Sequence, residues 1–457
     1  MSLVGLSLKE ILDATNGKLI SNGSDDYWFN FSKDTRTIEN NSFYIPIKGE
    51  NFNGNEFIND AFEKGATGSF IERGEDVIVE SIGKTLIEVK NSVVAIADIA
   101  NIVREKWGGE IIVVTGSAGK TTTKEIIAGG LSKDTVVYKT PGNLNNLIGV
   151  PITLLNINKE SKIAVIELGM SYKGEIAKLS KIVNPQWGVI TNVLEAHLEN
   201  FINIDEIAKE KGDILNYVSE GAVVPVDYKY FKSLCKKRKI KCLSFGNGGD
   251  IDIQIEEKLI VRICDNKYEF ENIFHSKTEA MNFALSLGII YLKGGIIEDY
   301  YLSVKKNYIP PVGRMSYHYL KNIGVLLIDD SYNANPGSVK AAIDALEQET
   351  NQRKILVIGD MLELGEKEEF LHREIGRYIN SKNFDIVIAA GKRGKWIYEE
   401  LEDKNKSVFH IINHQELAEL LNIIVTRNST ILIKASRGMN LDKNVKILIE
   451  EDKNRVV

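Results

Sequence analysis

Glu110-Ile111-Ile112-Val113-Val114-Thr115-Gly116-Ser117-Ala118-Gly119-Lys120-Thr121-Thr122 is the stretch that decides the fold. Its first six residues form a β-branched apolar run that stops at glycine, the pattern of a buried strand entering a loop. Gly119-Lys120-Thr121 and a helical run follow. Together they supply what a bound triphosphate needs. Glycines let backbone N–H groups approach phosphate oxygens, the helix N-terminus adds the positive end of a dipole, and Lys120 bridges the outer phosphates. Thr121 offers its hydroxyl to Mg²⁺. A full Walker A sequence has one more glycine where Val114 stands here, so the loop is a shortened variant. An ordinary glycine-containing turn is the plain alternative, but GKTT directly after a buried strand favours phosphate binding.

Working outward, strand candidates recur at Ile163 to Glu167, Gly188 to Thr191 and Ala222 to Val226, with helical stretches between them, the alternation of a parallel sheet. Residues 250 to 272 read instead as short strands around turns, an antiparallel extension of the same domain. Upstream, a helical pattern runs from Asn91 to about Arg104. Before it, strand-like runs such as Ser42 to Ile47 mix with a helix-like run from Glu56 to Lys64 ahead of Gly65, a small α/β unit. Pro310-Pro311 is the best linker signal, because paired prolines exclude helix and central strand. Beyond it the β/α alternation restarts at Val325 to Asp329, Lys354 to Ile358, Asp385 to Ala389 and Ile431 to Lys434. The expectation is an α/β chain of three domains: residues 1–85, a central phosphate-loop domain with a parallel sheet over 86–312, and a doubly wound, Rossmann-like domain over 313–457.

The length of 457 residues exceeds what one core usually serves. Hydrophobic residues at 43% and charged ones at 26% are near the globular average, which argues against a disordered or fibrous chain. Acidic groups outnumber basic ones by 63 to 57, so no global basic field invites nucleic acid. Cys235, Cys242 and Cys264 form no CxxC pair, which fits a reducing cytoplasm. We expect a cytoplasmic protein without a membrane span or a secretory signal, and a monomer.

A kinase, a GTPase and a ligase could all use this loop. Glu167 ends the strand IAVIE before Gly169, which puts a carboxylate at the sheet edge where α/β proteins bind ligands; a solvated strand-end acid is the bland reading. His197 follows the strand ending in Thr191-Asn192, near the same edge, so the two could converge on one cation, although a lone histidine is usually a surface or hydrogen-bonded core residue. Lys211 sits on the apolar face formed by Ile204, Ile207, Ile214, Leu215 and Val218. Its stem could snorkel; alternatively, a lysine in an apolar site loses its proton and becomes open to modification.

Six ordered segments then resemble the Mur ligases of peptidoglycan synthesis, over nearly the whole chain. They are TGSAGKTTTKE (115–125), TPGNLNNLIGVP (140–151), IELGMSYKGEI (166–176), TNVLEAHLENF (191–201), DDSYNANPGS (329–338) and GDMLELGE (359–366). The resemblance implies that Thr115, Gly116, Ser117, Ala118, Gly119, Lys120, Thr121 and Thr122 hold ATP, helped by Asn145 and Asn146, with Asn143 near them. It implies Mg²⁺, two ions in all, on Thr121, Glu167, His197 and Lys211, the last carried as a carbamate. The family usually has Glu where Asp213 stands, which weakens any role for that position. Asp330, Asn333 and Asn335 would face the nucleotide, although Asn335-Pro336 is also an ordinary helix start and asparagines suit tight turns. Arg314 would reach the phosphates or ribose once the third domain closes. By the same resemblance the first domain binds a UDP-substrate through Asp34, Thr35, Arg36, Lys48, Gly49 and Asn53, within Lys48-Gly49-Glu50-Asn51-Phe52-Asn53-Gly54. Family members commonly have Asp and His where Asn53 and Asn55 stand.

SYNANP and GDMLELGE, with no DNPR-type motif, favour the branch that adds D-alanyl-D-alanine to UDP-N-acetylmuramoyl-tripeptide through an acyl phosphate. Lys120, Glu167, His197, Lys211 and Arg314 would then be the catalytic set. Another Mur-type or folylpolyglutamate-like amino-acid ligase and a silent nucleotide-binding scaffold are the alternatives.

Overall fold

β-branched runs buried on both faces form the centre of the molecule. In the Glu110–Thr115 strand, Ile111 and Val113 face one core while Ile112 and Val114 face another, and none of the four is more than 1% exposed. Helices must therefore cover both faces, which is why the run reads as continuously apolar. The computed structural model describes residues 2–49, 52–133, 135–351, 353–401 and 407–455.

The central sheet has nine strands. Its parallel part runs in the order Val137–Lys139, Ile163–Glu167, Glu110–Thr115, Trp187–Ile190, Gly221–Pro225 and Lys241–Phe245. Ile251–Ile255 joins next, and Lys258–Ile263 and Asn266–Glu271 continue as the antiparallel extension expected for residues 250 to 272. The register sets Glu167 opposite Val114 and Ile190 opposite Thr115. The phosphate loop, Glu167 and the loop after Ile190 thus leave the sheet together at its carboxyl edge, where such sheets bind ligands.

The first sheet orders Lys18–Ser21, Thr85–Val89, Ala66–Glu72, Ser42–Tyr44 and Asn30–Ser32. Trp28, Phe43 and Phe70 pack edge to face beneath it, at centroid separations of 5.2 and 4.8 Å. Thr85–Val89 pairs in parallel with Ala66–Glu72, so this sheet runs past the expected boundary at residue 85. Asn91 then caps the Ser92–Trp107 helix, which packs with the central layer.

After Pro310-Pro311 a six-stranded sheet follows, ordered Ser316–Leu320, Val325–Asp330, Ser429–Lys434, Arg353–Ile358, Ile386–Ala390 and Ser407–Ile411. All neighbours are parallel except the first pair. Leu356 and Ile358 face one core and Ile355 and Val357 the other, the doubly wound arrangement. Among the described residues no helix is long and apolar enough to cross a membrane.

Candidate active site

Two glycines shape the phosphate loop. Gly116 has φ +151°, and a Cβ there would lie 1.8 Å from Thr191 Oγ1; Gly119 has φ +78° and backs onto the Asn282 amide. Ser117 N–H donates to the Asn192 carbonyl (3.2 Å) and Ala118 N–H to Asn192 Oδ1 (2.9 Å). Ser117 Oγ also accepts from Leu194 N–H at 2.9 Å. Those two amides are therefore turned towards the neighbouring loop. The donors left for phosphate are those of the first turn of the Lys120–Leu131 helix, where Lys120, Thr121 and Thr122 have no acceptor within the helix and no side chain caps them. A shortened loop offers the helix end itself.

Lys120 folds back over the loop and donates to the Gly116 carbonyl at 2.8 Å. Burial pulls its ammonium below the usual lysine range; Glu167 and Glu363 oppose that shift, whereas Arg314 adds to it. Groups from the central and third domains therefore act on one ammonium.

Glu167 is fully buried. Thr121 Oγ1 donates to one carboxylate oxygen and Asn145 Nδ2 to the other, each at 2.8 Å, while Glu167 N–H donates to Thr140 Oγ1 at 2.9 Å. Its hydrogen-bond donors are neutral, and the Lys120 ammonium is a protein cation near enough to act on it. A hydroxyl and a carboxylate beside a phosphate site form the hard oxygen set that suits Mg²⁺, which keeps several waters and takes few protein ligands. The residues present fit that ion. Neighbouring asparagines do different work: Asn145 braces Glu167, whereas Asn146 Oδ1 accepts from Ile148 and Gly149 N–H at the start of the next helix, a turn role.

His197 stands on the loop after the Trp187–Ile190 strand. No group of three or more His, Cys, Asp or Glu side chains among the described residues forms a ready-made cage. Its Nδ1 instead lies 2.6 Å from Glu363 Oε2 of the third domain. His197 and the Lys120 ammonium hold that carboxyl below its ordinary range against the opposing effect of burial.

Lys211, on the Ile204–Gly212 helix, is 2% exposed, in a stretch where Ile207, Ile214, Leu215 and Val218 are buried too. The helix stops at Gly212, and a 3-10 turn, Asp213–Asn216, carries the apolar face onward. Burial pushes the Lys211 ammonium well below its usual range, and Lys120 pushes it further. Among the described residues it has neither a hydrogen-bond nor an ion-pair partner. Its neighbour Glu210 accepts from Gly174 and Ile176 N–H at another helix start.

Across the cleft, the Arg314 guanidinium lies 4.1 Å from the Tyr332 ring centroid, and the two line a pocket with Thr121, Lys124, Asn143 and Val312. Asp330 accepts from Met315 N–H (3.1 Å) and from Lys434 Nζ (2.5 Å), so it braces the turn that presents Arg314. Asn335 Oδ1 caps the Pro336–Gln348 helix through Ser338 N–H, and Asn333 Oδ1 accepts from Ala334 N–H. In both, the side-chain oxygen is committed to local structure. Sequence reasoning missed Asn192, Tyr332, Glu363 and Lys434; the first three stand inside quoted segments, but nothing local marks what they touch.

In the first domain Asp34 pairs with the largely exposed Arg36 at 2.6 Å, and Arg36 holds the Asp34 carboxyl down at about 2. Lys48 and Asn53 converge on Glu75, at 3.0 and 2.5 Å, and Gly49 N–H donates to the Phe52 carbonyl. Glu50 and Asn51 lie outside the described residues.

Residues 114–289 match the Mur ligase middle domain, and residues 313–437 the Mur ligase, glutamate ligase domain. The chain is 35% identical over 430 residues to UDP-N-acetylmuramoyl-tripeptide--D-alanyl-D-alanine ligase of Bacillus subtilis (strain 168), covering 91% of this chain and 92% of that one. The structure is similar to a crystal structure of MurF from Acinetobacter baumannii, with TM-score 0.88, 26% identity, and coverage of 98% of this chain and 100% of the other. It is also similar to the crystal structure of MurF ligase from Thermotoga maritima in complex with ADP, with TM-score 0.81, 29% identity, and coverage of 93% and 98%.

Proposed function

The chain belongs to the Mur ligase family, and from that premise we propose that it joins D-alanyl-D-alanine to UDP-N-acetylmuramoyl-tripeptide, converting ATP to ADP and phosphate in peptidoglycan synthesis. The observation that carries this reading is the buried Thr121–Glu167–Asn145 cluster beside Lys120, with Arg314 of the third domain acting on the same ammonium.

In the first half-reaction the tripeptide carboxylate attacks the γ-phosphorus and the bond to the β-phosphate oxygen breaks, leaving an acyl phosphate and ADP. Lys120 and Arg314 neutralise the charge on the transferring group, and the free amides of Lys120, Thr121 and Thr122 receive phosphate oxygens. In the second, the dipeptide amine attacks the acyl carbon, phosphate leaves, and the nitrogen gives up its extra proton. Mg²⁺, when bound, supplies further charge neutralisation; Thr121 and Glu167 are the residues to hold it, with His197 and a carbamylated Lys211 for a second ion. The low proton affinity and lack of partners at Lys211 support the carbamate: a neutral amine adds CO₂ and releases a proton, turning a buried cation into an anion.

We assign the UDP moiety to the first sheet, near Asp34, Thr35, Arg36, Lys48, Gly49 and Asn53, and ATP to the cleft between residues of the central unit, up to 312, and those from 313 onward. The enzyme works as a cytoplasmic monomer in this reading. ADP release measured with the tripeptide and D-alanyl-D-alanine together, with the tripeptide alone, and with single amino acids or a folate as alternatives tests the assignment. Turnover confined to the first mixture is expected. Equal turnover with another pair would reassign the substrate, and nucleotide binding without ADP release in any mixture would indicate a silent scaffold.

A further inference from the structure

The loop after the Trp187–Ile190 strand joins three parts of the molecule. Through Asn192 and Leu194 it pins Ser117 and Ala118 of the phosphate loop. Its Leu194 side chain lies 3.0 Å from where a Cβ on Gly337 would stand, and Leu198 packs against the core of the third domain. Glu199 Cα lies 2.9 Å from the corresponding position on Gly365, too close for any side chain there. The loop is a ledge on which the third domain sits.

At that contact two residues that are not glycine adopt left-handed backbone, His197 at φ +55° and Glu363 at φ +64°, and they face each other with Nδ1 and Oε2 2.6 Å apart. Strain of this kind persists where surrounding structure imposes it, and it clusters at functional sites. Close as the two atoms are, Nδ1 makes no well-formed hydrogen bond there. Catalytic hydrogen bonds often tighten only when the site is loaded.

We propose that Glu363 is a positioning residue for His197, a carboxylate delivered by the third domain that fixes the imidazole through Nδ1 and leaves Nε2 to the cation, so that one metal position is complete only when the third domain is seated. A histidine that ligates a metal commonly donates its other ring N–H to a carboxylate, and loss of that partner weakens the metal 10–100-fold. Here the partner comes from a different domain, which ties metal affinity to domain seating. The inference rests on the reading of His197 as a ligand.

The test is Mn²⁺ binding, followed by electron paramagnetic resonance, to the full-length protein loaded with a non-hydrolysable ATP analogue and UDP-N-acetylmuramoyl-tripeptide. Wild type, Glu363→Gln, His197→Gln and the double variant are compared, with thermal melts as a check on folding; Glu363 is half exposed, so its replacement leaves the core intact. The expected result is a Mn²⁺ site weakened about 10–100-fold in Glu363→Gln, with the double variant no weaker than His197→Gln alone. Unchanged Mn²⁺ affinity in Glu363→Gln beside a weakened His197→Gln overturns the inference and leaves the ligand reading standing. Further weakening in the double variant overturns it too, since Glu363 would then bind metal independently. Unchanged affinity in His197→Gln overturns the ligand reading itself.

Discussion

Gly116→Ala is the sharpest single perturbation of the phosphate site. The added methyl would stand 1.8 Å from Thr191 Oγ1, where ordinary contact begins at 3.4 Å, so loop and strand end must part by the difference, 1.6 Å. Thr191 cannot simply rotate away, because its hydroxyl donates to the Ala118 carbonyl at 2.6 Å and its Cβ would itself lie 3.0 Å from the new methyl. A misplacement of about 1 Å costs on the order of 10²-fold in rate, so kcat/KM for ATP should fall roughly 10²- to 10³-fold, equivalent to about 3–4 kcal/mol. Folding should lose about 1–3 kcal/mol from strain and the disturbed hydrogen bond, a Tm decrease of several degrees. Gly294→Ala provides the control: φ there is +72°, but nothing lies within 4 Å of the added methyl. It carries backbone strain without the clash, and its kcat/KM should stay within a few-fold of wild type. The assay is steady-state ADP release with both substrates saturating, beside thermal melts of the three proteins. If Gly116→Ala kept activity within threefold, the claim that this glycine sets the loop against Thr191 would be refuted.

Three further outcomes are expected. Lys211→Ala should lose turnover together with any stimulation by bicarbonate, measured on protein prepared in CO₂-free buffer; a variant still stimulated would remove the carbamate from Lys211. Tyr332→Ala removes the ring beneath Arg314, a contact of about 0.5–2 kcal/mol, so kcat/KM for ATP should fall by roughly 2–30-fold; an unchanged kcat/KM would contradict that placement. His372 Nε2 accepts from Met361 N–H while Nδ1 contacts the Glu368 carbonyl, and burial lowers its proton affinity. The fold therefore needs the neutral ring: this contribution is full above the ordinary histidine pKa, about 6.5, and is lost as pH falls through the lower folded value. Urea midpoints measured from pH 8 to 5 should fall with acid in the wild type and less in His372→Gln; parallel slopes would show that another group governs the decline.

The sequence made the central strands legible for a physical reason. Residues such as Ile111 to Val114 are apolar on both faces because two cores need them, and local pattern suffices to show it. The edge strand Ser316–Leu320 was not legible, since Ser-Tyr-His-Tyr-Leu alternates polar and aromatic groups and has one open edge. The limit of the first sheet was hidden differently. Thr85–Val89 is an ordinary strand run, and only its pairing with Ala66–Glu72 decides to which sheet it belongs. Within the site, Thr121 and Glu167 could be found because a strand end and a loop fix them, whereas Asn146 and Asn335 show the capping roles that residues of their type always leave open. The facing of His197 and Glu363 depends on how two domains meet, which no local pattern encodes.

That last point bears on how the active site guards its chemistry. Lys120 feels Glu167 from its own domain and Arg314 and Glu363 from the third; in the proposed mechanism, where the third domain seats over bound ATP, the field at the outer phosphates changes with seating. In water, charges at such distances are heavily screened; in a cleft from which water is excluded they are not. Arg314 is held by the Tyr332 ring, and the turn that presents it by Asp330, which Lys434 anchors from the adjacent strand, so the arginine arrives with the domain as a pre-set group. An ATP bound to the central domain alone would meet the helix amides, Lys120 and Glu167 but neither the arginine nor the partner of His197. Activation would then depend on seating of the third domain, which brings the pieces of the site together over the loop that already pins the phosphate site.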